Sequence, residues 1–498
     1  MIGIITQFLL CLILLASKIL QHHQYFLTLR NQLIINFTLI LQQMAKVKFN
    51  TRLGLIATTV GSAVGLGNIW RFPAEAQGNG GAAFLIVYVL CMICLGIPVM
   101  IAEFALGRGG QGDAESVFRK LAPKSKWWIG GVLAILASYI ILCFYMVVAG
   151  WTFEYLWHSI TGDLYSAVSS SSEVSEQGFY SKMQEYICSD FKPMINTYIV
   201  ILLNLFILMA GVQKGIERMS NILMPMLFTL LIIFACVSLS LPNAADGLRF
   251  FFAPDFSKIS LGVIVNALGQ SFFSLSLGMG ILITYSSYYP KKTKLVPTAF
   301  TVSALDLLVA ILMGIVIFPA VSSFGLQSSE LKGTTLVFVT IPEIFASMPG
   351  TQIWSILFFL FLLVAALTST ISVAEVSVAW IQDRFRKSRK TSCLIVLLPL
   401  FCLSAICSLS LGTLSWVKIA GLGIFDFLDT LATNILLPAV SIWVCLFLGF
   451  RMNKSFLKNE ITNQGKVSNK FYPYISFIIK YCAPPLLIII LLGAFIDF

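Results

Sequence analysis

The chain has 498 residues with a mean hydropathy of +0.90; 58% are hydrophobic and only 11% are charged. That composition excludes a soluble globular enzyme or binding module and indicates a polytopic helical membrane protein. The net charge of +11 is no nucleic-acid signature, because the basic residues sit in short loops between apolar runs, where they set topology.

Residues 1–43 hold an apolar run to Ala16 and a shorter one from Leu33 to Leu41, without a basic leader or a cleavage site. Met44 then opens a short basic lead into the first convincing span. The expected organisation is an N-terminal extension, 1–43, followed by a transmembrane domain, 44–498, with translation starting at Met44.

The chain is organised around 51–73, TRLGLIATTVGSAVGLGNIWRFP. It is apolar enough for a bilayer yet carries Gly61, Gly65 and Gly67, each costing about 1 kcal/mol in a helix interior. Freed carbonyls in lipid need partners, so an unwound span survives where it lines a cavity or binds an ion. Small residues four apart also serve close helix packing. Asn68 and Arg71 directly after the glycines favour a binding site.

Further spans are expected at roughly 82–106, 130–155, 194–211, 220–241, 261–288, 296–319, 352–381, 392–411, 420–449 and 472–495, making eleven with the first at 53–72. Loops alternate in charge. Arg108, Arg119, Lys214, Lys291, Arg384 and Arg451 stand in one set, and the acidic 156–193 belongs to the other. The basic loops share a side if Met44 is cytoplasmic, giving N-in, C-out. The sixth span is glycine-broken and polar in its middle, with Ser274, Ser276, Gly278 and Gly280, five spans after the first such break. Paired broken helices point to a transporter site between inverted repeats.

In the eighth span Thr368 and Ser369 set two hydroxyls beside the Ala365 carbonyl, a donor set for a hard cation, although such hydroxyls also back-bond in membrane helices. Asp306 lies inside an apolar run, where an acid is expensive unless used. Glu103 and Asp426 are also readable as interfacial side chains reaching for water. Cys91 and Cys94 form a CxxC within an apolar run, where neither redox nor metal chemistry is expected, and His22, His23 and His158 have no metal spacing.

These segments resemble the neurotransmitter:sodium symporter family, particularly its bacterial amino-acid transporters. The likeness runs through RFP at 71–73, NGG at 79–81, GIPVMIAEFALGR at 96–108 and KGIERMSNILMP at 214–225. It continues through AADGLRFFFAPDF at 244–256, GQSFFSLSLGMG at 269–280 and ALTS at 366–369. The resemblance implies an all-α membrane fold, a five-plus-five inverted repeat with broken helices 1 and 6, and sodium-coupled uptake of an amino acid. It places a second sodium on the carbonyls of Gly61, Val64 and Ala365 with the hydroxyls of Thr368 and Ser369. A first sodium would take Ala63, Asn68 and Ser274 with the substrate carboxylate. The substrate amine would meet carbonyls of Ala63, Phe273 and Ser276, and its carboxylate the amides of Leu66 and Gly67 and the Tyr145 hydroxyl. Ile141, Tyr145, Phe273, Ser276, Met279, Ser369 and Val373 would form an apolar side-chain pocket. Ungapped alignment puts Leu305 where leucine-type relatives carry an asparagine ligand, so the reading passes that role to its neighbour Asp306. It expects a carboxylate there to make chloride unnecessary. Arg71 and an acid of span 10, Asp429 or else Asp426, would form the gate.

The expected function is therefore sodium-coupled uptake of a neutral, apolar or aromatic amino acid in a bacterial plasma membrane, using two sodium ions and no nucleic-acid partner. A non-transporting receptor or scaffold with the same fold is the alternative, and would be favoured by lost ion ligands. A channel would need a continuous polar pore. No loop pairs a nucleophile with a base, so an enzyme is not expected. A chain beginning at Met44 is expected to insert and transport as the full chain does; failure of that shorter chain to fold, seen by size-exclusion chromatography in detergent, would refute the assignment of 1–43 as dispensable.

Overall fold

A bilayer offers the backbone no water, so long apolar runs satisfy their own amides as helices. Thirteen helical pieces carry the architecture: α1 (Arg52–Ala63), α2 (Gly67–Gly78), α3 (Ala82–Gly110), α4 (Trp128–Thr161), α5 (Lys192–Met209), α6 (Val212–Leu239), α7 (Leu261–Ser274), α8 (Ile281–Ser287), α9 (Leu295–Ser323), α10 (Thr351–Phe385), α11 (Arg389–Leu409), α12 (Ile424–Arg451) and α13 (Tyr472–Gly493). A two-residue hairpin, β1 (Lys418–Ile419) with β2 (Leu422–Gly423), interrupts the loop between α11 and α12. The computed structural model describes residues 48–169, 176–325, 333–468 and 470–493. The chain divides into Met1–Val47 and Lys48–Phe498, and every described residue belongs to the second unit. The expectation for 1–43 falls outside the described residues.

Among the described residues nine helices are long and apolar enough to cross a membrane, or ten when α1 and α2, meeting at 54°, count as one bent span. The protein is thus a polytopic helical membrane protein. The expected span at 261–288 is divided: 275–280 are not helical, and α7 and α8 are each too short to cross alone. α6 starts well before the expected 220 because a wide turn, Val212–Glu217, leads into it. Hydropathy marks where lipid begins, and the polar lead-in is helical without being apolar.

α4 packs lengthwise on α10 and α5, α6 on α9, α5 on α11, and α12 on α13. α8 lies against α3 so closely that a Cβ on Gly107 would collide with the Ile283 carbonyl. At its start α1 is held by a remote acid. Glu217 accepts from the amides of Asn50 (2.9 Å) and Thr51 (3.1 Å), and from the Thr51 hydroxyl. A carboxylate at a helix N-terminus meets both orphan amides and the positive end of the dipole. Phe49 beside it packs edge-on against Tyr285 and Tyr288.

Two more acids do structural work. Glu103, which the sequence allowed as interfacial, is fully buried and accepts from the Gly278 amide at 2.8 Å, so it braces the 275–280 break from α3. Glu375 on α10 is also fully buried. It pairs with Arg389 through two bonds, 2.8 and 2.6 Å, and accepts from the Tyr288 hydroxyl at 2.7 Å. Removing one member of a buried pair leaves an uncompensated charge, costing about 3–5 kcal/mol. Glu375→Ala is expected to lower unfolding stability in detergent by about that much, with Arg389→Met in the same chain recovering part of it. Unchanged melting in the single variant would show that water replaces the partner.

Candidate functional site

The site grows from the two breaks. Glycines at 61, 65 and 67 weaken the first span, and α1 ends where Val64 turns extended, with ψ at 107°. In the second break Ser276, Gly278 and Gly280 have φ of +54°, +77° and +71°. The breaks face each other, and polar side chains close over the freed groups.

Asn68, Ser274 and Asp306 converge. The Asn68 amide nitrogen donates to the Ser274 hydroxyl at 2.9 Å and to the Asp306 carboxylate at 2.8 Å, and Ser274 donates to the other Asp306 oxygen at 2.7 Å. The Tyr88 hydroxyl joins Ser274 at 3.2 Å, and all four residues are buried. Leu305 instead lines a separate groove with Arg52, Leu53 and Met224, so the acid that reaches the cluster is Asp306. Oxygens from α7 and α9 thus meet beside the end of α1, a donor set that suits a hard cation.

A second group of oxygens lies on the other side of α1. Thr368 donates to the Ala365 carbonyl at 3.0 Å, and Ser369 to the Val64 carbonyl at 3.4 Å. A Cβ on Gly61 would meet Thr368 Cβ at 3.4 Å, so Gly61 and Thr368 are neighbours. The residues assigned to the second cation by the resemblance are therefore adjacent.

A small cavity of about 30 Å³ touches both groups, at Ser274 of the first and Ser369 of the second. Its lining includes every residue of the expected side-chain pocket: Ile141, Tyr145, Phe273, Ser276, Met279, Ser369 and Val373. It also includes Ala63 and Gly67. Leu66 does not line it; its amide donates to the Tyr145 hydroxyl at 3.1 Å, so two groups expected to share a carboxylate are bonded to each other. Gly65 is required by close approach, because a Cβ there would strike the Ser369 hydroxyl and lie 3.0 Å from that of Tyr145. Sequence reasoning did not place Ser62 in the lining, and its position on the last turn of α1 was the available signal.

Arg71, the expected gate residue, stands 4.0 Å from Glu75 one turn on, with its guanidinium 4.8 Å from the centre of the Phe273 ring. Among the described residues no ion pair joins it to Asp426 or Asp429, although Asp429 is near enough to feel its charge. Asp426 is exposed.

The sodium:neurotransmitter symporter family model matches residues 46–191 and 168–498. The chain belongs to that family. A sodium-dependent transporter of Bacillus subtilis, YhdH, is 34% identical over 453 residues, covering 91% of this chain and 98% of the relative. The sodium- and chloride-dependent GABA transporter ine of Drosophila melanogaster is 27% identical over 370 residues, covering 67% of this chain and 39% of the relative. The crystal structure of MhsT in complex with L-phenylalanine superposes with a TM-score of 0.82 at 40% identity, covering 90% of this chain and all of that one. As a symporter-family member the chain is a sodium-dependent membrane transporter and not an enzyme, and the breaks of its first span and at 275–280 are those of the family's inverted-repeat fold.

The geometry separates the two acids expected for the gate. Asp429 is the half-buried one and lies within the field of Arg71, whereas exposed Asp426 is solvated. Asp429→Ala is expected to slow transport at least about ten-fold and Asp426→Ala much less; uptake assays in proteoliposomes giving the reverse order would assign the gate to Asp426.

Proposed function

We propose that this symporter couples two inward-moving sodium ions to uptake of a neutral amino acid with an apolar or aromatic side chain, by alternating access across a bacterial plasma membrane with its N-terminal side cytoplasmic. The carrying observation is the cavity flanked by two oxygen clusters. Its lining is mostly apolar with a few convergent polar groups, the make-up of a small-molecule site, and the lining must part for a substrate to enter. Its walls from Ile141, Phe273, Met279 and Val373 suit an apolar side chain, and the phenylalanine held by MhsT supports the same class.

The amino acid brings its own charges. Among the described residues no acidic side chain lines the cavity, and Gly65 stands where monoamine carriers of the family have an aspartate. The carbonyls of Ala63, Phe273 and Ser276 would receive the amine. The Gly67 and Leu66 amides at the start of α2, together with Tyr145, would receive the carboxylate once the Leu66–Tyr145 bond opens around it. Ala63, Asn68, Ser274 and Asp306 would ligate one sodium with the substrate carboxylate. Gly61, Val64, Ala365, Thr368 and Ser369 would ligate the other. Every proposed protein ligand is an oxygen, as a hard cation requires.

The test is uptake of labelled amino acids into proteoliposomes with and without a sodium gradient. Uptake of neutral amino acids only with sodium supports the reading. Competition by decarboxylated amines as strong as by their parent amino acids would sink it, because an amine cannot supply the carboxylate ligand.

Asp306 carries a second expectation, independence of chloride. A fixed carboxylate beside Ser274 and Asn68 supplies the negative charge that a chloride-dependent relative takes from solution. Asp306→Asn is expected to raise the sodium needed for half-maximal transport about ten-fold, with chloride restoring part of the loss. Unchanged sodium activation with a shifted pH profile would instead make Asp306 a proton carrier.

A further inference from the structure

The last carbonyls of an α-helix have no partner within it, and at the end of α1 they are divided with care. The Val60 carbonyl accepts from the Val64 amide at 2.7 Å. The Ser62 carbonyl accepts from the Ser276 hydroxyl at 2.7 Å, a bond reaching from one break to the other across 214 positions of sequence. Gly61 and Ala63, on either side of Ser62, are the carbonyls that the proposed function gives to different sodium ions.

Ser276 makes this bond from an unfavourable conformation. Its φ of +54° lies in the left-handed region, which glycine adopts freely and serine rarely. Glycine occupies that region two and four residues later, at 278 and 280. The backbone alone would be served by glycine at 276, so the hydroxyl is the reason for a serine. The residue is buried, and so is the carbonyl's own residue, Ser62. Loss of the donor would leave the Ser62 carbonyl facing the cavity with a free lone pair.

We propose that Ser276 is a positioning residue whose hydroxyl ties the two breaks together and occupies the Ser62 carbonyl. That tie keeps a third carbonyl away from both cation clusters and sets the spacing between them. The role is separate from any contact of the Ser276 backbone with substrate, and it rests on the sodium-coupled reading above.

The experiment measures sodium activation of uptake, and substrate KM at saturating sodium, for Ser276→Ala, Ser276→Gly and Ser276→Cys in proteoliposomes. Sodium titration of the purified, substrate-free proteins by calorimetry runs in parallel. Ser276→Ala removes the bond and keeps the strain, and Ser276→Gly removes both. Each is expected to raise the sodium needed for half-saturation about ten-fold, the equivalent of one buried hydrogen bond, in the substrate-free titration as well as in uptake. Ser276→Cys, a weak donor, should fall between them and the parent. A glycine variant with the parent's sodium response would overturn the inference, since the hydroxyl would then only offset the strain of its own side chain. Equal losses in KM and turnover at unchanged sodium affinity would overturn it as well. A parent protein that neither binds sodium nor responds to it would overturn the proposed function first, and this inference with it.

Discussion

A peptide group in the middle of a bilayer has no water to fall back on, and both breaks of this transporter are shaped by that constraint. Every residue that leaves helical geometry there frees a donor or an acceptor, and the fold answers with side chains brought from other spans. Glu103 takes the Gly278 amide, Ser138 the Met279 carbonyl, Ser276 the Ser62 carbonyl and Ser369 the Val64 carbonyl. Two flexible stretches, each unstable alone, become one rigid cage when set against each other. Carbonyls at the edge of such a cage are already desolvated and oriented, so a cation that binds them avoids most of the reorganisation it would otherwise require.

The buried acids show how one residue type is given opposite tasks by its surroundings. Glu217 meets helix amides, Glu375 meets a guanidinium, and Glu103 meets one backbone amide. Each stabilises backbone or a neighbouring span. Asp306 has only neutral partners, an amide and a hydroxyl, that other groups of the site can also engage. Unlike Glu375 it has no fixed countercharge, and unlike Glu103 it caps no freed backbone amide, which agrees with the cation role proposed for it. The same contrast applies to Arg71, which rests over Phe273 beside Glu75 with modest solvent exposure. Paired loosely, it is free to exchange partners, as the gate role expected of it requires.

The two halves of the first span are anchored unequally. α2 is joined to the cluster at Asn68, whereas α1 is tied at its start by the Glu217 carboxylate, in its middle by the Thr59–Tyr289 bond and at its end by the Ser276–Ser62 bond. Aromatic packing of Phe49 against Tyr285 and Tyr288 closes the start of α1.

By itself the sequence determined the membrane class, the approximate spans and the existence of two breaks, because hydropathy, glycine content and polar residues in apolar runs are local properties. Family resemblance also carried the cavity lining: Phe273, Ser276, Met279 and Ser369 lie in its motifs, while Ile141, Tyr145 and Val373 lie between them and followed from the alignment. Tertiary structure alone decided which acid serves which task. α9 is apolar on nearly every side, so no hydrophobic face tells Leu305 from Asp306, and only packing turns Asp306 toward Asn68, 238 positions earlier. Glu103 stays open between an interfacial and a buried role in the sequence for the same reason, because its partner is an amide freed in a distant span. The Leu66–Tyr145 bond, the seating of Arg71 over the Phe273 ring, and the Ser276–Ser62 tie likewise depend on distances between spans that no local pattern encodes.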